Sequence, residues 1–593
     1  MPGTIPALLR RNAQMRPNDP AYYEKVNGAW VPSTWSEYWQ QTRRAAAALV
    51  ALGFQPGQTV GILGFNRPEW TISLLAAQAA GGAPVGIYTT NSPSEVQYIL
   101  HHAESPVVVV ENQHQLDKIL AVWHELPHLK YVVLMRGTDA PDDERILTWE
   151  GFLAKGGTAE EEEVERRVDA LKPEDLGTLI YTSGTTGPPK GVMLSHSNLV
   201  RTSEIVSGMF GTGPGDTSLS YLPLSHIAEQ MFSVHGAITS QYTIYFAESP
   251  QKVADNLREV QPTIVFGVPR VWERMYQGVK ERLGEATGAR KKLAEWAMGV
   301  GAQVTALRNR GQEPSGLLAL QYRLAERLIF SKVKAALGLS RARICASGAA
   351  PVSKDLLEFM GSLDIIIYEV YGQSEGCGPT TWNRPGQTKF GSVGKPLPEV
   401  EVRIADDGEI LVKGPNVFMG YYKDPEATAR TLVDGWLHSG DLGRFDEDGY
   451  LYITGRKKDI IITSGGKNIA PANIETALKQ LPLVADAVVI GEGQRYLTAL
   501  ISLDMEAAQK FAEEHGIQER ENLHLHPTIL KTLEEGINQV NQQFARVEHV
   551  RNFRVVPTPF SIEGGELTPT LKVKRNVVME RYAELIREMY NEA

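Results

Sequence analysis

The residues best suited to chemistry lie in one stretch, Tyr181-Thr182-Ser183-Gly184-Thr185-Thr186-Gly187-Pro188-Pro189-Lys190-Gly191. It holds four small hydroxyl residues, three glycines, two prolines and one lysine. Such a loop cannot pack a core. It can offer backbone N–H groups, hydroxyls and one ammonium to an anion, because glycine permits close backbone approach and successive N–H groups form a nest. The polyphosphate of a nucleotide is the natural anion for it. The loop is not a Walker A motif, since Pro189 precedes Lys190 and Gly191 follows it, where that motif needs Gly-Lys-Ser/Thr. A flexible linker of this composition rarely sits between two apolar runs, and Leu179-Ile180-Tyr181 and Val192-Met193-Leu194 flank this one.

Further clusters follow downstream. Ser347-Gly348-Ala349-Ala350-Pro351 puts small residues at a predicted strand end, leaving room for a ligand beside the backbone. In Tyr371-Gly372-Gln373-Ser374-Glu375 the aromatic face can stack on a purine and the hydroxyl can reach a phosphate. Its carboxylate can hold Mg²⁺ through oxygen. Taken alone, a Ser-Glu pair reads as a helix N-cap. Asp441, after Gly440, can accept two ribose hydroxyls, although turns favour aspartate anyway. Arg456-Lys457-Lys458-Asp459 reads alone as a solvated charged linker, and Gly465-Gly466-Lys467 as a glycine turn with a base. Near the C-terminus stands Glu566-Leu567-Thr568-Pro569-Thr570-Leu571-Lys572-Val573-Lys574-Arg575.

These groups need elements to position them. Trp35–Leu52 reads as a helix with Tyr38, Ala45, Ala46, Leu49 and Val50 on one face. Val60–Gly64, Pro84–Tyr88 and Val107–Val110 read as buried strands, with a helix at Trp70–Ala80, so parallel βαβ units are expected. Further helices are expected at His196–Met209, Lys354–Met360 and Ile474–Leu481, and a strand at Ile365–Tyr368. Val271–Leu337 is charged and helical in period, and reads as solvated surface helices. From Gly391 short alternating strands and Asp-Gly turns predict a small antiparallel β-subdomain.

The chain has 593 residues, 42% hydrophobic and 22% charged, which allows several domains. A net charge of −10 and a pI near 5.8 argue against nucleic-acid binding. Two cysteines provide neither a metal site nor a disulfide framework, and a reducing cytoplasm fits. No signal peptide is visible, and no run reaches the roughly 18 apolar residues of a membrane span. Peripheral membrane contact and a homodimer stay open.

The phosphate-type loop and the later motifs, taken in order, resemble the adenylate-forming superfamily of acyl-CoA synthetases, luciferases and peptide-synthetase adenylation domains. Leu222-Pro223-Leu224-Ser225-His226-Ile227-Ala228 and Gly564–Lys572 narrow the resemblance to long-chain fatty acyl-CoA synthetases, closest to the bubblegum type. It implies an α/β protein with a large multi-subdomain N-terminal body (1–455), including the antiparallel β-subdomain. A hinge (456–459) and a small mobile α+β C-terminal domain (460–593) follow. Activity is expected to be ATP-dependent conversion of a fatty acid to acyl-AMP and then to a CoA thioester, with Mg²⁺. Carrier-protein loading, an aryl or short-chain CoA ligase, and a nucleotide-binding module without turnover are the alternatives.

Carried over residue by residue, the resemblance gives catalytic roles to Lys572, Glu375, Thr182 and His226, with Mg²⁺ on Glu375 and Thr182. ATP or AMP would contact Thr182, Ser183, Gly184, Thr185, Thr186, Gly187 and Lys190, and then Gly348, Ala349 and Ala350. Tyr371, Gly372, Gln373, Ser374, Asp441, Arg456 and Lys467 complete the nucleotide set. Lys458 matches the hinge position, and Gly465 and Gly466 the CoA-side loop. Three departures stand out. Gln230 occupies the position of a tryptophan that gates the acyl tunnel in some relatives, so that gate is not carried over. Leu571 replaces the usual glycine before the catalytic lysine, with Lys574 as its competitor. Ile462 lies where luciferase-like relatives carry lysine.

Overall fold

The computed structural model describes residues 3–182, 188–518, 520–568 and 570–591. Two large, mostly parallel sheets form the body. One has eight strands, with Thr59–Leu63 pairing in parallel with both Ala83–Ile87 and Val107–Val110. These strands are buried on both faces and read as near-continuous apolar runs, as parallel strands covered by helices must. Trp35–Ala51 is a helix, as its 3.6-residue period predicts, and Pro68–Ala79 is the second expected helix, buried on every side. The first opens with a capping box from Thr34 and Glu37. The second large sheet has nine strands, including Thr217–Ser220, Ile264–Gly267, Ile344–Ser347 and Ile367–Gln373.

A five-stranded antiparallel sheet follows, containing Trp436–Phe445 paired with Leu451–Arg456. A separate apolar core then forms around Val484–Ile490, Leu497–Leu503 and Val550–Val555, covered by Pro471–Leu478 and Pro527–Asn541. The fold class is therefore the expected one: a large α/β body with an antiparallel sheet, and a smaller C-terminal α+β unit. Among the described residues no helix is long and apolar enough to cross a membrane.

The C-terminal unit touches the body through charges. Asp486 has a side chain only 4% exposed and is held by Arg270 of the body at 2.8 Å and by Lys479 of its own unit at 3.0 Å. Lys510 pairs with Glu281 nearby.

Two readings change. The strand expected at Ile365–Tyr368 begins at Ile367 and runs to Gln373, so Tyr371, Gly372 and Gln373 lie on it rather than after it. The segment 271–337 is more than a solvated coat. Its helices Pro269–Gly284, Gly288–Arg308 and Gly316–Ala325 bury a core of their own around Val300, Val304 and Phe330. Apolar residues at helical spacing on one face of each made this possible, and the charge density of the opposite faces masked it.

The Asp364 side chain, 5% exposed, anchors that insert: it accepts from Arg308 at 2.7 Å and Tyr322 at 3.0 Å, and pairs with Lys334. Asp364 sits at φ +62°, which asparagine also tolerates. Asp364→Asn keeps the shape and removes the charge that two cations share. A loss of about 2 kcal/mol is expected in urea unfolding, with hydrogen-exchange protection lowered in 288–337.

Candidate active site

The apolar runs flanking the anion-binding stretch form an antiparallel hairpin, Leu176–Thr182 against Lys190–Ser195, in which Thr182 faces Lys190 at the mouth. Ser183, Gly184, Thr185, Thr186 and Gly187 lie outside the described residues. The mouth end of the hairpin is fixed by Tyr181, whose hydroxyl is 2.8 Å from His102 Nδ1. The short strand Gly420–Tyr421 pairs with Met193 and Val192. It carries a residue that sequence reasoning missed. The Tyr421 hydroxyl donates to Glu375 Oε1 at 2.8 Å, while the Lys190 ammonium lies 4.9 Å from the centre of its ring. Tyr421 thus joins the lysine of one motif to the carboxylate of another. The aromatic run Tyr421-Tyr422 beside Gly420 was the available signal.

Tyr371, Gly372 and Gln373 occupy the end of an edge-paired strand, and Ser374 and Glu375 begin a single 3₁₀ turn. A Cβ on Gly372 would stand 1.7 Å from the Gly378 carbonyl oxygen, so only glycine fits there. The Tyr371 hydroxyl donates to Asp441 Oδ2 at 2.8 Å. Asp441 lies in the middle of a strand, not in a turn, directly opposite Arg456, whose Nε is 3.2 Å from Asp441 Oδ1. Gly348 packs against Val370, and Ala349 follows in left-handed backbone at φ +70°. Ala349 and Ala350 are exposed.

Lys572 reaches this group from the C-terminal unit. Burial first, and the Arg456 guanidinium second, pull its pKa from 10.5 down to about 8, against the attraction of Asp441 and Glu375. Its loop is a tight hairpin. Thr568 N–H donates to the Lys572 carbonyl at 2.7 Å, and Lys572 N–H donates to Thr568 Oγ1 at 3.0 Å. Leu571 stands there at φ +59°, a conformation that costs a non-glycine residue about 1–2 kcal/mol. That backbone explains why glycine suits the position. The charge of Lys574 acts instead on Glu95, adding to the Ser92 and Asn91 hydrogen bonds that lower that carboxyl against its burial.

His226 caps the helix Ile227–Gln230, and its Nδ1 accepts from Ala228 N–H at 3.2 Å. Burial, then the charge of Lys572, push its pKa down to about 4. The ring is therefore neutral at pH 7, with its proton on Nε2. Behind it, buried Glu229 is raised to about 7 by burial and is held by Ser220 at 2.7 Å and Ser233 at 2.6 Å. Gln230 is buried and committed to the Leu224 carbonyl at 2.9 Å.

Four sequence-predicted positions lie elsewhere. Gly465, Gly466 and Lys467 form an exposed turn closed by Lys467 N–H to Thr463 Oγ1 at 3.2 Å. Among the described residues the Lys467 side chain makes no hydrogen bond or ion pair with the Lys572 group. Lys458 is exposed in the turn after Arg456.

Glu375 and Thr182 offer hard oxygen donors, and Tyr421 occupies only one Glu375 oxygen among the described residues. That set fits Mg²⁺, which keeps most of its shell as water and phosphate.

The low pKa of Lys572 has a stability consequence with a definite sign. Between pH 8 and 10.5 the folded chain has shed a proton that the unfolded chain still holds, so stability rises with pH across that window. Lys572→Met removes that contribution. The melting temperature of the parent relative to Lys572→Met should therefore increase from pH 7 to pH 9.5. A constant difference would contradict the assigned burial.

The model for an AMP-binding enzyme matches residues 9–422, and that for an AMP-binding enzyme C-terminal domain matches residues 458–593. The chain is 38% identical to the long-chain-fatty-acid–CoA ligase ACSBG2 of Xenopus laevis, over 100% of this chain and 84% of that protein. It is 37% identical to ACSBG1 of Homo sapiens, over 96% of this chain and 82% of that protein. Among solved structures, an anthranilate CoA ligase in complex with anthranoyl-AMP superposes with a TM-score of 0.72 at 21% identity, covering 99% of this chain and 98% of that one. An ATP-bound RpMatB-BxBclM chimera gives 0.69 at 24% identity, covering 98% of this chain and 99% of that one. The shared fold, the order of the motifs and the full-length identity place this chain in the AMP-binding, adenylate-forming enzyme family, in its bubblegum-type long-chain-fatty-acid–CoA ligase branch.

Proposed function

We propose that this protein is an AMP-forming long-chain fatty acid–CoA ligase. The observation that carries the reading is the convergence of Lys572, Arg456, Asp441 and Glu375, from three separate stretches of the chain, on one spot beside the Thr182–Lys190 hairpin mouth. The fatty acid carboxylate attacks the α-phosphorus of ATP and pyrophosphate leaves. One anion approaches another, so the step needs neutralised charge more than covalent help.

Lys572 supplies a cation at the reacting phosphate, and Lys190 one at the departing phosphates. Tyr371 offers its ring to adenine, Ser374 its hydroxyl to the α-phosphate, and Asp441 its carboxylate to the ribose. Glu375 and Thr182 would hold Mg²⁺, which when bound supplies countercharge to the phosphates. Neutral His226 donates its Nε2 hydrogen to the fatty acid carboxylate. CoA thiolate then attacks the acyl carbonyl of the mixed anhydride, and AMP leaves.

Lys572 serves only the first step. Residues 1–455 and 460–593 act as the two bodies of the cycle, and rotation about Lys458 would withdraw Lys572 and bring the Gly465–Lys467 turn to the reacting carbonyl. The Arg270–Asp486–Lys479 contact favours the orientation suited to adenylation.

The test supplies purified protein with ATP, Mg²⁺ and fatty acids of graded length, with and without CoA, and reads pyrophosphate and thioester. Long-chain acyl-CoA is the expected product. Acyl-AMP that accumulates and ignores CoA would overturn the CoA acceptor, and turnover of only aryl or short acids would overturn the substrate class. Lys572→Ala is expected to lower acyl-AMP formation at least about 100-fold while leaving thioester formation from supplied acyl-AMP within about threefold. Glu375→Gln should raise the Mg²⁺ concentration for half-maximal pyrophosphate release; unchanged Mg²⁺ dependence would remove Glu375 from the metal.

A further inference from the structure

The helix Gly316–Ala325 is apolar on two sides. Its inner side packs Leu318, Tyr322 and Ala325 into the core of the insert. Its outer side presents Leu317, Leu320 and Leu324, which are 71%, 62% and 50% exposed. At 100° per residue these three fall within an arc of about 60°. They are the one set of exposed large apolar side chains at helical spacing among the described residues. The helix is firmly mounted, because Tyr322 on its inner side donates to Asp364, which Arg308 also holds. The leucine face is therefore carried on a fixed platform.

Arg323, on the same helix, and Arg327, on the Glu326–Phe330 turn that continues it, border one edge of that face and are exposed, and neither side chain makes an ion pair among the described residues. The nearest acids in sequence are already engaged: Glu326 with Lys334, and Glu313 with Arg308. The outer face thus combines three leucines with two unneutralised guanidinium groups, on a chain whose net charge is −10. A second copy would bring the same arginines and leucines, setting like charges together across a two-fold contact. A bilayer matches both features at once. Leucines sink into the boundary of the acyl chains while arginines reach the headgroup phosphates.

We propose that this outer face docks the protein on the surface of a bilayer bearing anionic headgroups. Docking there deepens the ligase reading, since long-chain fatty acids partition into bilayers and would be collected where they concentrate.

The test is co-sedimentation of the full chain with vesicles of phosphatidylcholine alone, or with about one quarter phosphatidylglycerol, at low and physiological salt. Pelleting is expected with the anionic vesicles and should weaken with salt. Leu320→Glu with Leu324→Glu is expected to lower partitioning at least about tenfold. Arg323→Glu with Arg327→Glu should abolish its salt dependence. Both pairs should keep the parent's melting temperature and its rate of acyl-AMP formation from detergent-dispersed acid. Leu320→Ser with Leu324→Ser replaces the first pair if the acidic one does not fold. No pelleting of the parent, or equal pelleting of the variants, would overturn the proposal. So would a parent dimer in velocity sedimentation that the leucine substitutions split. Pelleting needs no turnover, so a failure of docking is distinguishable from a failure of the ligase reading.

Discussion

The Asp441 carboxylate is where the nine-stranded sheet, the antiparallel sheet and the C-terminal unit meet. Tyr371 donates to it from the nine-stranded sheet, and Arg456 pairs with it across the antiparallel sheet. Lys572 feels its charge from the C-terminal unit. An aspartate buried to 8% exposure needs such partners, because an unpaired charge in that setting is strongly disfavoured. The same requirement brings an aromatic ring and two cations to one place. The Tyr421 hydroxyl extends the network to Glu375, and the Lys190 ammonium lies over its ring.

The assembled site holds more positive charge than its own carboxylates relax. Arg456 and Lys572 oppose one another, and that repulsion adds to burial in lowering the lysine. Such an arrangement is uncomfortable when empty of anions and favourable once a polyphosphate enters. Neutral His226 fits the same logic, since burial disfavours its charge and a further cation beside Lys572 would add to that cost, whereas a neutral donor does not.

The insert follows a different constraint. It is fastened by one nearly buried aspartate with two cations and a tyrosine, and by its own small apolar core. Rigid helices of this kind can carry an exposed apolar stripe without collapsing onto it. Exposed leucines on a firmly packed helix therefore differ in meaning from the scattered apolar residues found on any surface.

Much of the site was legible from residue type and spacing. Val107–Val110 could hardly be other than a buried strand, and the glycine-hydroxyl-lysine stretch after Tyr181 could hardly be core. Periodicity placed the helices because buried stripes repeat every 3.6 residues, and Asp-Gly turns marked the antiparallel sheet. What the sequence could not supply was proximity. Asp441 was read as a ribose ligand, with a turn as the plainer alternative; its mid-strand place opposite Arg456 is set by sheet register. Lys572 was the expected lysine with Lys574 its competitor, and the hairpin through Thr568 and the left-handed Leu571 brings Lys572 under the charges of Arg456, Asp441 and Glu375. Tyr421 carried no motif at all. Its role comes from a two-residue strand that lies beside the phosphate hairpin. Local chemistry is written in local sequence, whereas the meeting of residues hundreds of positions apart is decided by sheet order, register and charge pairing in the folded chain.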